Sequence, residues 1–189
     1  MWAKHKQPGF TIVELLIVIV VIGILAAITI VAYSGIQQRA NNTVIIDAAS
    51  KSARVIQAYI VANGVYPLTS GNVCITTDSG CMTNGAVGAG TTLNTNLATI
   101  GTTPKSIPTP GPDHYGIIYL YNSVRTLNGS TQPVVLYYWL QGTSQQCGLS
   151  GITDSPTTPM LTSTTGYTAA NDSSSGKTLC VVSIPGPSA

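Results

Sequence analysis

Gly9-Phe10-Thr11-Ile12-Val13-Glu14-Leu15-Leu16-Ile17-Val18 opens an apolar run that continues through Gly23-Ile24-Leu25-Ala26-Ala27-Ile28, with no charged residue from Leu15 to Tyr33. As a helix rising about 1.5 Å per residue, that uncharged stretch nearly crosses a hydrocarbon core of roughly 30 Å. Lys4 and Lys6 precede the run and few basic residues follow it closely, an asymmetry that keeps the leader on the cytoplasmic side. The run is longer than the apolar region of a secretory signal. Ala26-Ala27 leads into Ile28-Thr29-Ile30-Val31 without a small-residue cleavage site, so removal of the whole run is not expected. A plain membrane anchor accounts for everything here except Glu14. A carboxylate within a membrane helix costs roughly 2.5–3.5 kcal/mol, which marks it as a functional candidate in need of a partner. The bland alternative is that Glu14 sits near one interface and snorkels.

The leader Lys4-His5-Lys6-Gln7-Pro8-Gly9 followed by this run resembles the class III signal of type IV prepilins and pseudopilins. The resemblance is close over residues 4–33 and loose along the helix beyond. It implies that a prepilin peptidase cuts between Gly9 and Phe10 and methylates the new N-terminal Phe10, making residues 1–9 a leader. It places Glu14 on the family's glutamate, whose partner is the N-terminal amine of a neighbouring subunit in a low-dielectric filament core. The implied fold is α+β, a long N-terminal helix packed on a C-terminal antiparallel β-sheet head. The implied partners are other copies in a helical filament, the prepilin peptidase and methylase, an inner-membrane assembly platform with its ATPase, and the membrane before assembly. Many relatives carry proline where this chain has Val31. Proline kinks a helix and valine does not, so a straighter helix is expected, with Gly23 and Ser34-Gly35 as its weak points.

Beyond residues 10–33, the transmembrane and polymerisation half, residues 34–63 read as an amphipathic continuation of the helix. Ile36, Ala40, Val44, Ala48, Val55 and Tyr59 recur at near-helical spacing, while Gln37, Gln38, Arg39, Asn41, Asn42, Asp47, Lys51 and Arg54 occupy other faces. Asn63-Gly64 followed by Tyr66-Pro67 reads as the stop, giving one helix of about 50 residues. Its first half requires cover from lipid or from other copies.

Residues 64–189 form a β-rich head, abundant in Thr, Ser, Gly, Asn and Pro and poor in charge. Strands are expected at Gly116–Tyr121, Val134–Leu140 and Leu179–Ile184, the first two pairing antiparallel through Asn128-Gly129. The helix is expected to lay Val55, Tyr59 and Ile60 on one face of this sheet. The four cysteines suggest disulfides formed outside the cytoplasm and allow three pairings. The favoured one joins Cys74 to Cys81 across a small loop and Cys147 to Cys180 at the last strand. The second of these resembles the disulfide-bounded C-terminal loop of many pilins, where surface variation and contacts concentrate. Neither pair has C-x-x-C spacing and no histidine lies near, so no metal and no cofactor are expected.

The chain has eight Lys plus Arg and six Asp plus Glu; loss of Lys4 and Lys6 with the leader leaves six of each. Without a basic excess, direct nucleic-acid binding is not expected. His114 beside Asp113 reads as an exposed loop pair, and there is no nucleophile elbow, phosphate loop or H-E-x-x-H, so no enzyme is expected. Tyr115, Tyr119, Tyr121, Tyr137, Tyr138 and Trp139 read mostly as core by strand alternation. Asn41, Asn128 and Asn171 open N-x-S/T triplets that a chain of this composition contains by chance, and Ser150–Ser175 is either O-glycosylated or simply solvated.

The functional expectation is a filament subunit, first a single-pass precursor in the cytoplasmic membrane, then part of an extracellular pilus for adhesion, motility or uptake. The alternatives are a periplasmic pseudopilin of type II secretion and a minor tip or adhesin subunit. Asn63-Gly64-Val65-Tyr66-Pro67 resembles the helix-to-head junction of major pseudopilins. Those proteins hold calcium with clustered acids, whereas Asp154 and Asp172 lie far apart in this sequence. A monomeric membrane-anchored binding domain is disfavoured by Glu14.

Overall fold

The computed structural model describes residues 9–69, 71–76, 80–83, 86–123, 126–127, 130–149, 170–172 and 175–186. Helix α1 runs from Ile12 to Asn63 without interruption, through Gly23, Val31 and the Ser34-Gly35 pair. It stops where Gly64 turns to φ +67°, a left-handed conformation that glycine adopts without a Cβ penalty. The Gly64 amide closes the last turn on the Ile60 carbonyl at 2.8 Å, and the Asn63 side chain donates to the Tyr59 carbonyl at 2.9 Å.

The chain divides into two compact units, one ending at Arg39 and the other beginning at Ala40. In the first, every described residue up to Gln37 is exposed, including Leu15, Ile19, Ile22, Leu25 and Ile28. This part of α1 is long and apolar enough to cross a membrane.

In the second unit the remainder of α1 is followed by strands β1 (Asn72–Cys74), β2 (Cys81–Thr83) and β3 (Ala86–Val87), then helix α2 (Thr91–Ala98). After these come β4 (His114–Tyr115), β5 (Ile117–Tyr121), β6 (Thr126–Leu127), β7 (Ser130–Thr131), β8 (Val134–Gln141), β9 (Ala170–Asp172) and β10 (Lys177–Ile184). The main sheet has the order β1-β5-β8-β10-β9, with every pair antiparallel. The expected α+β arrangement is therefore present, and so is the pairing of β5 with β8, from Ile117 opposite Tyr138 to Tyr121 opposite Val134. The Asn128-Gly129 turn lies outside the described residues; the paired strands β6 and β7 flank it. A smaller sheet has the order β3-β2-β4.

Strand alternation divides the core between two faces. Ile117, Tyr119, Leu136, Tyr138, Leu140, Cys180, Val182 and Ile184 cluster with α1, whereas Ile118, Val135, Tyr137, Trp139 and Val181 cluster with Cys74 and Cys81 on the opposite face. The buried stripe of α1 is Asn42, Ile45, Ala48, Ala49, Ser52, Ile56 and Ile60. This corrects the expected stripe. Ile36 and Val44 are exposed and Val55 and Tyr59 only partly buried; from Ala40 onward the helix is rotated so that Asn42 and Ser52 face inward and Val44 faces water.

Asn42 explains the rotation. Its side-chain amide donates to the Gln141 carbonyl at 3.0 Å and to Gln145 Oε1 at 3.2 Å, while its Oδ1 accepts the Gln141 amide at 2.9 Å. The side chain thus pairs with the end of β8 as another strand's backbone would. Ser52, the second inward polar group, donates to the Ala48 carbonyl of its own helix at 2.8 Å. Gly148, at φ +69°, lets the chain after Cys147 approach Ile46 so closely that a methyl group would collide with it.

His114 is also not where expected. It is buried in β4 with its ring 5.1 Å from that of Trp139, so the strand pairing with β2 takes it out of the surface loop. Tyr119, Tyr137, Tyr138 and Trp139 are core, with Tyr115 and Tyr121 half-buried.

Asn42→Ala strands the Gln141 amide and carbonyl and is expected to lower unfolding stability by about 1–3 kcal/mol in denaturant titration. Burial also pushes the phenols of Tyr119, Tyr137 and Tyr138 well above the ordinary tyrosine value. The unfolded chain loses these protons near pH 10 and the folded one does not. Their stabilisation is therefore complete below about pH 10 and should fall above it by up to about 1.4 kcal/mol per pH unit per tyrosine. Unfolding midpoints measured across that range check the sign.

Candidate functional site at the N-terminal segment

Gly9 and Phe10 lie before the first helical turn, both exposed, with the Phe10 side chain 87% accessible. Among the described residues nothing stands within 4 Å of the position a Gly9 Cβ would take. The Gly9–Phe10 bond therefore sits in open, non-helical backbone before α1.

The start of α1 is fixed by a reciprocal cap. Thr11 is the N-cap residue and Glu14 the third helical residue. The Glu14 amide donates to Thr11 Oγ1 at 3.2 Å, and the Thr11 amide donates back to Glu14 Oε2 at 2.8 Å. The Thr11 hydroxyl also donates to Oε2, at 2.7 Å. Two amides that an apolar helix start would leave orphaned are thereby satisfied, and the negative charge lies at the positive end of the helix dipole. Both bonds from Thr11 fall on Oε2, leaving Oε1 open among the described residues. Attention to Glu14 alone misses Thr11, although Thr11-x-x-Glu14 is the sequence signature of this cap. Farther along, Thr29 and Ser34 turn their hydroxyls onto the Ala26 and Val31 carbonyls at 3.0 and 2.9 Å. The apolar surface is thus free of unpaired hydroxyl donors at these positions, as a hydrocarbon environment requires.

The remaining site residues are the cysteines. Cys74 and Cys81 are joined with Cα atoms 5.4 Å apart, and Cys147 and Cys180 with Cα atoms 5.7 Å apart. The first bond lies on the sheet face opposite α1; beside it Gly116, at φ +93°, is kept small by the Cys81 sulfur. The second lies on the α1 face, and the Cys147 carbonyl accepts the Tyr138 hydroxyl at 2.8 Å. Among the described residues no three His, Cys, Asp or Glu side chains gather as metal ligands.

The prokaryotic N-terminal methylation motif matches residues 4–30. About a third of the chain also resembles fimbrial subunits. It is 39% identical over 64 residues to the fimbrial protein EcpC of Eikenella corrodens, covering 34% of this chain and 42% of that one. Against the type IV major pilin protein PilE of Neisseria gonorrhoeae it is 38% identical over 61 residues, covering 32% and 36% of the two chains. A fimbrial protein of Neisseria meningitidis serogroup A is 38% identical over 74 residues, with 38% and 44% covered. The chain spans less than half the length of these relatives. No solved structure matches it significantly. The segment from Lys4 to Ile30 thus carries the pattern of the prokaryotic N-terminal methylation motif. Together with the long helix and antiparallel sheet, it is similar to what type IV pilins present.

Thr11→Val removes the hydroxyl that holds the Glu14 amide and should weaken the cap by about 0.5–2 kcal/mol. Amide exchange at Glu14 in detergent micelles is expected to accelerate several-fold or more, and an unchanged rate would show that the cap is not formed there.

Proposed function

We propose that this protein is a structural pilin, held in the cytoplasmic membrane as a precursor, cut between Gly9 and Phe10, methylated at Phe10, and polymerised into an extracellular filament. The observation that carries this reading is an uninterrupted apolar helix, exposed throughout its first part, with one capped carboxylate in its first turn. Lipid tails and neighbouring apolar helices are alternative covers for the same surface. Moving between them changes little in hydrophobic free energy, so register has to come from polar groups.

Glu14 supplies that register. Cleavage creates an amine at Phe10, and the open Oε1 of a neighbouring Glu14 accepts it while Oε2 keeps the Thr11 cap. The pair neutralises both charges inside the helix bundle, where either alone would be costly. Extraction from the membrane draws on an assembly platform and its ATPase, because this chain carries no nucleotide-binding motif. The role is structural rather than catalytic; adhesion, motility and uptake are the uses such a filament would serve.

A periplasmic pseudopilus of type II secretion is the second reading, favoured by the Asn63-to-Pro67 junction and its sharp stop at Gly64. Mass spectrometry of sheared surface material and of membranes separates the two. The expected result is a dominant surface species beginning at methylated Phe10. The same species confined to membranes would favour the pseudopilus or a minor subunit, and an uncut leader in both fractions would refute filament assembly. Glu14→Ala should leave cleavage intact while reducing surface filaments by at least about tenfold, the cost of leaving one partner of a buried charge pair alone.

A further inference from the structure

The groove between α1 and the end of β10 encloses about 390 Å³ and is lined by Ser50, Arg54, Gln57, Gln132, Ser183 and Pro185 among others. Arg54 is its one charged group among the described residues. Its Nε donates weakly to the Ser50 carbonyl at 3.4 Å, and no carboxylate pairs with its two terminal nitrogens among the described residues. By contrast, the acid nearest in α1, Asp47, is already held by Lys51 at 2.7 Å. A guanidinium with both terminal nitrogens open, in a groove lined by polar and apolar side chains alike, is a receptor for a carboxylate.

The matching acid lies on the other side of the head. Asp113 is exposed and forms no ion pair among the described residues. It directly precedes His114, which packs on Trp139 in the cluster facing away from α1. The groove, in turn, is built from α1 and the α1-facing residues Val182 and Ile184. Among the described residues Arg54 and Asp113 are not paired with each other or with another side chain within one copy, although the Lys177 amine lies beside Gly111 in the same turn as Asp113. Between copies they make a heterologous contact, the kind that propagates into an open filament instead of closing a dimer. With six basic and six acidic side chains after leader removal, such a polymer also needs no outside counterion.

We propose that the Arg54 groove receives the Asp113 turn of a second copy, a head-to-head contact additional to the pairing at Glu14. The proposal rests on the filament reading, and its test separates the two. The four native cysteines are all in disulfides, so an introduced pair provides the only free thiols. In filaments of the R54C/D113C variant, mild oxidation should give a ladder of covalent multimers on non-reducing gels, absent from either single variant. R54E and D113K should each lower filament recovery roughly tenfold at unchanged unfolding midpoint, and the combined R54E/D113K chain should recover it, as expected for a swapped interfacial charge pair. Filaments without a ladder, or a combined variant no better than the singles, would overturn the contact while leaving the filament reading intact. If R54E polymerised normally but lost retention on a sulfated polysaccharide resin, the groove would be a site for soluble polyanions and the proposal would be wrong. A wild-type chain that yields no polymer beginning at Phe10 would defeat both.

Discussion

Burial of apolar surface governs this molecule, and α1 meets the demand differently along its length. From Ala40 onward, Ile45, Ala49, Ile56 and Ile60 lie against the sheet, each large side chain contributing about 1.5–3 kcal/mol relative to exposure. Before Gln38 the same kind of side chain stands exposed in an unbroken series. A helix with that surface is not a tenable solute in water. It calls for an apolar cover, and in the proposed filament, where lipid and neighbouring helices are similarly apolar, a few polar atoms at its beginning would determine how copies align.

The head solves a different problem. Its core relies heavily on tyrosine, an amphipathic side chain that must bring its hydroxyl to a partner when buried. Tyr119 reaches the Pro67 carbonyl just after the helix stop, and Tyr138 reaches Cys147. Asn42 performs the same service from the helix, and Thr178 links the Gly142 carbonyl and the Gln145 amide beyond β8. The Tyr137 hydroxyl, on the other face, lacks a partner among the described residues. These polar pins tie the helix, the turn after β8 and the last strand into one body, beyond what a modest supply of leucine and isoleucine would achieve.

Much of this was legible in the residues. The helix, its stop at Gly64 and the three long strands declare themselves because each combines a strong period with an unambiguous breaker. The orientation of the helix did not. Hydropathy favours Val44 and Ile36 over Asn42 and Ser52, and nothing local reveals that an amide will find a strand end 99 residues away. Helix α2 escaped because Thr91–Ala98 offers only Leu93 and Leu97 as apolar anchors amid Thr and Asn. Strands β1 to β4 are two or three residues long, too short for alternation to register, which is also why His114 was read as surface. At the N-terminal site, Glu14 stands out as a charge out of place, while Thr11 is inconspicuous until the bonds between them are seen.

The Cys147–Cys180 bond fixes both ends of one stretch of the head. It pins the coil after β8 to the middle of β10, with the two Cα atoms 5.7 Å apart. The closed stretch contains β9 and the first three residues of β10, and β10 keeps register with β8 over eight residue pairs and with β9 over three. Lengthening a flexible loop whose ends are already held costs little, about 0.6 kcal/mol for each doubling. New residues placed between Leu149 and Ala170 would therefore cost little, provided that β9 and Lys177–Leu179 keep their pairing.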